Sequence, residues 1–402
     1  MLKLAWRNTL RHRGRTALTL SVIISGVVGI ILSGGFVEDI YVQLREATIH
    51  SQLGHIQVYK TGYHEHGAAN PYKYLIETPA EVSKRAEGTP NVEDVMARLS
   101  FTSVINNGRT DTAILGEGIE PDKEARLGSL VTITAGRQLT SADRFGILLG
   151  EGVAHATKLK PGDHATLLLN TAEGALNSLD FDVVGVFRTF SKEYDARAVR
   201  ISLQAAQELL AVSSVNVIVL SLKQTEATDG VAKFLKDQLD PNRYEVKTWR
   251  ELADFYDKTV ALYQRQFAVL QGIILVAVLL SVANSVNMSV FERTGEFGTL
   301  MALGNRSAEV FRLVLTENAL LGLLGGVAGV LLGVLAGWAI SAIGIPMPPP
   351  PNSNIGYTAA IRITLGDLGM GFLIGVAATV LAALLPARRV AHIPVVEALR
   401  QN

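Results

Sequence analysis

The sequence predicts an α-helical membrane protein with four transmembrane helices and a large mixed α/β extracytoplasmic domain inserted between the first and second of them. Three observations predict it. Ala17–Val37, Phe267–Val290, Ala319–Ile345 and Leu368–Ala387 contain no Asp, Glu, Lys or Arg, and each is long enough to cross about 30 Å of hydrocarbon as helix. Cations gather at the two ends: Lys3, Arg7, Arg11, Arg13 and Arg15 precede the first segment, Arg388, Arg389 and Arg400 follow the last, and no acid precedes Glu38. Between the first and second segments lies a long polar stretch in which short β-like runs and helical runs are mixed.

Composition agrees. Of 402 residues 48% are hydrophobic and 18% charged, with 37 basic against 37 acidic side chains, as in a membrane protein with one sizeable soluble part. A balanced charge excludes a broad nucleic-acid surface. By the positive-inside rule both termini are expected in the cytoplasm, residues 38–266 outside it, and the loop 291–317, with Arg293, Arg306 and Arg312, inside. The expected location is the bacterial inner membrane, with a periplasmic large domain. Cysteine is absent, so neither disulfides nor thiolate metal sites are available. A cleaved signal peptide competes for the first segment. The long apolar run, the lack of an A-x-A site and a helical period that continues past the run favour a span.

Residues 1–16 set Leu2, Trp6, Thr9 and Leu10 among cations, a pattern for a cytoplasmic interfacial helix. The first span is 17–37. Beyond it Phe36, Ile40, Tyr41, Leu44, Ala47 and Thr48 keep helical spacing, which predicts a stalk. A second stalk is predicted from Trp249, Leu252, Phe255, Tyr256, Val260, Tyr263 and Phe267, which run without Gly or Pro into the second span, 267–290. Between the stalks, strands are predicted at His55–Tyr59, Phe101–Ile105, Thr112–Leu115, Ala165–Leu169, Phe181–Phe187 and Val215–Leu222, and helices at Pro79–Glu87, Gln204–Ala211 and Asp229–Leu239. Turn-rich text at Asn106–Gly108 and at Ser213 and Ser214 brackets an inserted lobe of about 106–214.

In the third span, 318–345, Gly325, Gly329, Gly333 and Gly337 fall four apart on one face, a surface for close helix packing. In the second, Ser281, Asn284, Ser285 and Asn287 are costly among lipids and are expected to face other helices or a cavity. A loop, 346–366, opens on the stiff run Pro346–Pro351, and a span at 367–388 leads to a cytoplasmic tail, 389–402.

No catalytic or metal site is expected. His64, Glu65 and His66 fall short of H-E-x-x-H because Ala68 stands at the second histidine position, and the surrounding Gly, Asn and Pro predict a solvated loop. Leu365, Gly366 and Asp367 lack the preceding glycine of an intramembrane aspartyl protease motif. There is no G-x-S-x-G elbow and no G-x-x-x-x-G-K-S/T phosphate loop, so any ATP-derived energy is expected to come from a partner. The candidate contact is the charged loop. Glu292, Arg293, Thr294, Gly295, Glu296 and Phe297 follow the second span, and Leu300–Gly304 predicts a short amphipathic helix ended by glycine. Apolar residues rimmed by charge suit a protein contact, with a solvated connector as the alternative.

The stretch FERTGEFGTLMALGNRSAEVFRLVLTENALLGLLGGVAGVLLG resembles the signature of the FtsX-like, MacB-like permeases of ABC transporters, in which an E-R-x-x-E-I/F-G-x-x-x-A-x-G loop enters a glycine-rich span. LLPARRVAHIPVVEALR resembles their closing segment, although Pro394–Arg400 is one residue from the commonest spacing, and GILLGEGVAHATKLKPGDHATL with FDVVGVFRT resembles their outer core domain. The resemblance implies a porter-like lobe carrying an inserted β-rich lobe, a second permease copy or paralogue, and a separate cytoplasmic ABC ATPase dimer that holds ATP and Mg. It implies that Glu292, Arg293, Gly295, Glu296, Phe297, Gly298, Leu303 and Gly304 couple to that ATPase. The function it implies is mechanotransmission: extraction or export of lipoproteins or other amphipathic substrates, with the lipoprotein-releasing type leading. A MacB-like efflux permease with an adaptor and outer-membrane channel, or an FtsX-like regulator of a cell-wall hydrolase, is the alternative. Further partners would be membrane lipid and a periplasmic carrier, adaptor or hydrolase.

Overall fold

The computed structural model describes residues 13–67, 70–128, 130–349 and 356–395. The expected interfacial helix falls mostly, and the P-x-x-A-L-R tail and the end of the proline run fall in part, outside these residues. In chain order the main elements are α1 (Arg13–Thr48), β1 (Ile56–Lys60), α2 (Pro79–Glu87), β2 (Val92–Asn106), β3 (Asp111–Ile119), α3 (Pro121–Leu127), β4 (Thr132–Gly136), β5 (Gly146–Gly150), α4 (Glu151–Thr157), β6 (His164–Asn170), β7 (Leu176–Arg188) and β8 (Ala198–Ser202). There follow α5 (Leu203–Leu210), β9 (Val217–Leu222), α6 (Thr228–Gln238), β10 (Tyr244–Thr248), α7 (Trp249–Leu252), α8 (Asp254–Glu292), α9 (Thr294–Ala302), α10 (Ser307–Ile343) and α11 (Leu365–Ala391). Helices α1, α8, α10 and α11 are long and apolar enough to cross a membrane. The chain forms two compact units.

The helical unit comprises residues up to 42, 259–347 and from 358. Its core joins Ile23, Val27 and Ile31 of α1 to Val278, Val282 and Val286 of α8, Val314 of α10 and Ala382 and Ala383 of α11. Glycines let these backbones approach. A Cβ on Gly325 would lie 2.8 Å from Ile23, one on Gly329 2.7 Å from Val27, and one on Gly333 3.0 Å from Ile31. Gly337, one turn further, meets Ile361 and Ile363 instead. From the other side Gly371 and Gly375 of α11 receive Ile31 and Val27. Of the polar residues in α8, Ser285 lies 2.5 Å from the Thr19 hydroxyl, whereas Ser281, Asn284 and Asn287 are exposed within the unit.

Further along α1, the buried carboxylate of Asp39 accepts hydrogen bonds from the Ala360 N–H (3.0 Å) and the Arg362 Nε (2.8 Å). One turn earlier the Gly35 carbonyl accepts the Arg362 N–H at 3.0 Å. The connector is also held by Ser341 of α10, whose Oγ accepts the Ile361 N–H at 2.8 Å. Thr364 then caps α11, its Oγ1 accepting the Asp367 N–H.

The mixed α/β unit comprises residues 43–258 and 348–357. Its ten strands form one path, β10-β1-β9-β2-β3-β8-β5-β7-β4, with β6 against β2 and β7. β2 divides it: Asp94–Arg98 pairs with β9, and Leu99–Asn106 with β3. One core gathers Ile56, Val58, Val82, Ile218, Leu235 and Val246, and the other Leu99, Phe101, Ile147, Leu167, Phe181 and Leu209. Pro79 starts α2 and Gly88 follows it, the two punctuating residues visible in the sequence.

The second stalk departs from the expected unbroken helix. Ala253 (φ −97°, ψ 56°) separates α7 from α8. The Thr248 Oγ1 accepts the Glu251 N–H while the Glu251 carboxylate accepts the Thr248 N–H, a reciprocal cap that starts a helix at Trp249. Trp249 and Ala253 then pack on Ile49, which holds the break in place. The segment expected as a loop at His64–His66 is a single helical turn, Tyr63–His66, with His64 Nδ1 2.8 Å from Glu245.

Two outcomes follow from this packing. Gly329→Leu must displace Val27, an overpacking worth about 1–3 kcal/mol, and is expected to lower the melting temperature in detergent, whereas Gly272→Leu, where nothing lies within 4 Å of a Cβ, is not. His55 is buried, its Nδ1 accepts the Leu222 N–H at 3.1 Å, and its Nε2 lies 3.1 Å from the Thr225 hydroxyl. Burial first, with the nearby His50 charge second, holds it down from 6.5 to about 4. The folded state therefore resists a proton that the unfolded chain takes up. Stability from this site is complete above about pH 6.5 and declines on acidification toward pH 4, on the order of 3 kcal/mol. Melts across this range should show that slope, and His55→Asn should flatten it.

Candidate functional site

The loop between α8 and α10 is built around one side chain. α8 ends at Glu292, and Arg293 (φ −102°, ψ 11°) turns the chain into α9. Its guanidinium is buried, donating from Nη1 and Nη2 to the Glu317 carboxylate at 2.7 and 3.2 Å and from Nε to Glu296 at 3.0 Å. It also lies 4.9 Å from the centre of the Phe297 ring. Every face of the fork is thus occupied, and the charge is matched as burial demands. Phe297 is itself 1% exposed and joins the core that contains Val290, Val310 and Leu313. Thr294 closes the corner by donating to the Phe291 carbonyl at 2.8 Å.

α9 stops at Gly304, whose φ of +99° is strained for any side chain with a Cβ. α10 begins after Arg306, whose N–H is accepted by Glu309 at 2.9 Å. The loop residues singled out by the sequence therefore divide by direction. Arg293, Phe297 and Gly298 point inward, Gly295 is half-buried, and Glu292, Glu296, Leu303 and Gly304 are exposed. Leu303 is 79% exposed at the close of α9, and Phe291, before its start, is 68% exposed. An exposed apolar residue on a loop that also exposes Glu292 and Glu296 is suited to contact with a partner. Among the described residues no group of three or more His, Asp or Glu is placed to hold a metal ion. Gly325, Gly329, Gly333 and Gly337 lie along α10, away from the loop in sequence, and pack as described above.

Glu317 was not singled out by sequence reasoning. The signal was present: a lone carboxylate at the mouth of an apolar span needs a partner.

Comparison with known proteins identifies both parts of the chain. Residues 16–238 match the MacB-like periplasmic core domain, and residues 268–395 match the FtsX-like permease C-terminal region. The chain is similar to the lipoprotein-releasing system transmembrane protein LolC of Neisseria meningitidis, 23% identical over 96% of this chain and 94% of that one. It is similar to the ABC transporter permease YknZ of Bacillus subtilis, 24% identical over 99% and 98%. It is also similar to the ABC transporter permease MJ1507 of Methanocaldococcus jannaschii, 25% identical over 67% of this chain and 65% of that one. The crystal structure of the periplasmic region of MacB from Actinobacillus actinomycetemcomitans covers 52% of this chain and 94% of its own, with 13% identity and a TM-score of 0.37. With its core-domain match spanning more than half its length and a permease region after it, the chain belongs to the family of ABC transporter permeases of the MacB and FtsX type.

Proposed function

We propose that the chain is the permease subunit of an ABC transporter that works by mechanotransmission, moving lipoproteins or other amphipathic molecules out of the bacterial inner membrane with energy from a separate ATPase dimer. In this reading both termini and the 291–317 loop face the cytoplasm, the mixed α/β domain is periplasmic, and a second permease copy or paralogue completes the complex. ATP and Mg belong to the partner, and the chain performs no hydrolysis itself.

The observation that carries the reading is the α9 turn. Arg293 is fixed on three sides, so a push on Leu303 and Glu296 passes through the guanidinium to Glu317 at the start of the third span instead of being lost in a loose loop. The near full-length similarity to LolC supports a lipoprotein-like cargo.

The test separates anchoring from docking. Arg293→Ala removes the forked guanidinium from the buried Glu317 carboxylate, a change worth about 3–5 kcal/mol, and is expected to lower the melting temperature and lose the ATPase together. Leu303→Asp touches only the exposed tip. It is expected to leave the melting temperature unchanged and to abolish co-purification of an ABC ATPase from native membranes, read by mass spectrometry. Recovery of a stoichiometric ATPase with Leu303→Asp would remove the tip from the contact, and repeated purification of the unaltered protein without any ATPase would overturn the reading. Co-purifying lipoproteins support the cargo. An adaptor with an outer-membrane channel, or a cell-wall hydrolase, would assign the complex to efflux or to regulation.

A further inference from the structure

An α-helix leaves its last carbonyls without intrahelical donors, and at the end of α1 the sheet supplies them. The helix closes in a π-helical turn, Ile49–Leu53. Gly54 N–H donates to the Ile49 carbonyl at 2.9 Å and Gln57 Nε2 to that of Leu53 at 2.6 Å. Two carbonyls between these receive arginines. Arg200 Nη2 donates to the Ser51 carbonyl at 3.2 Å, and Arg98 Nη1 donates to the Gln52 carbonyl. Positive charge thus meets the negative end of the helix dipole.

Both guanidiniums are buried, with side chains 5% and 4% exposed, and both are held from behind. Arg98 forms a forked pair with Glu124 of α3, its Nη2 at 2.9 Å. Arg200 Nε lies 3.3 Å from Glu117, which also accepts the Tyr194 hydroxyl at 2.6 Å, and the Arg200 guanidinium stacks 5.1 Å from the Phe187 ring centre. Burial opposes ionisation of Glu117, yet the Arg200 and Arg98 charges outweigh it and hold the carboxyl below its usual range. Arg98, Glu117 and Arg200 stand on β2, β3 and β8, consecutive strands in the middle of the sheet, with Glu117 registered directly against Arg200. The helix end is therefore fastened at two adjacent carbonyls to β2 and β8, with β3 between them tied in through the Glu117–Arg200 pair. Stability alone does not call for this, because a buried ion pair can often be replaced by apolar side chains without loss.

We propose that Arg98 and Arg200 are positioning residues forming a two-point guanidinium joint, through which movement of α1 enters the centre of the sheet. The origin of that movement rests on the transporter reading above, while the joint rests on the geometry of this unit.

The test uses the full chain in complex with its ATPase and hydrogen exchange read by mass spectrometry. Arg98→Met/Glu124→Leu removes one pair together, leaving no unpaired charge, and Arg98→Lys keeps the charge but loses the fork. Without nucleotide, exchange in residues 43–54 is expected to rise about tenfold in the double variant and less in Arg98→Lys, with β5 and β9 unchanged. With ATP and vanadate, the nucleotide-linked change in β2, β3 and β8 is expected to fall at least threefold in the double variant, while that in α1 persists. Unchanged exchange of 43–54, or an undiminished response in the three strands, overturns the joint. If the double variant fails to fold, Arg98→Lys is read against the same two outcomes at smaller amplitude. If the unaltered complex shows no nucleotide response anywhere, the transporter reading fails, and the joint is then judged on exchange of 43–54 alone.

Discussion

Lipid offers apolar helices no hydrophobic reason to associate, so the helical unit depends on how closely backbones come together. α1 supplies Ile23, Val27 and Ile31, stiff or bulky knobs at four-residue intervals. α10 answers with Gly325, Gly329 and Gly333, and α11 with Gly371 and Gly375. α1 lies between two glycine faces, which set its azimuth. From that azimuth come the facing of Gly26 toward Val278, of Thr19 toward Ser285, and of Asp39 toward the connector ahead of α11.

The second constraint is charge. Arg98, Arg200 and Arg293 are each buried, and each is met by carboxylates and a further acceptor or ring. Burial of an unpaired guanidinium would cost several kcal/mol, so each site is fixed as a whole. All three stand where a helix end meets other structure: Arg98 and Arg200 at the close of α1 and Arg293 at the corner between α8 and α9.

Much of this was legible in the sequence, for reasons that differ by element. The spans declare themselves because charge in a bilayer is expensive, and the glycine face because an interval of four returns to the same side of a helix. α2 is marked by Pro79 and Gly88. β5 and β8 were not legible: GILLG is a short apolar run buried on both faces, without the alternation of a half-exposed strand, and AVRIS is only five residues long and buries its arginine as well as its apolar side chains. Ala253 was missed because no Gly or Pro marks it; the reciprocal cap at Thr248 and Glu251 decides the break. Within the candidate site, the motif located Arg293 but not its inward direction, since Glu317 stands 24 residues further along the chain. The Arg98 and Arg200 pairs span 26 and 83 residues, and an arginine in a strand reads as a solvated charge until its neighbours are known.

The strap at Asp39 constrains α1 where it passes the connector. Asp39 and Gly35 are one turn apart, and both bind the segment Ala360–Arg362, which Ser341 of α10 also holds. A single hydrogen bond would act as a pivot; three from two residues on one face make a key in a slot. Rotating α1 by even one residue's 100° would withdraw both partners from the connector. Turning α1 about its axis at this point therefore requires breaking these hydrogen bonds or carrying the connector along with the helix.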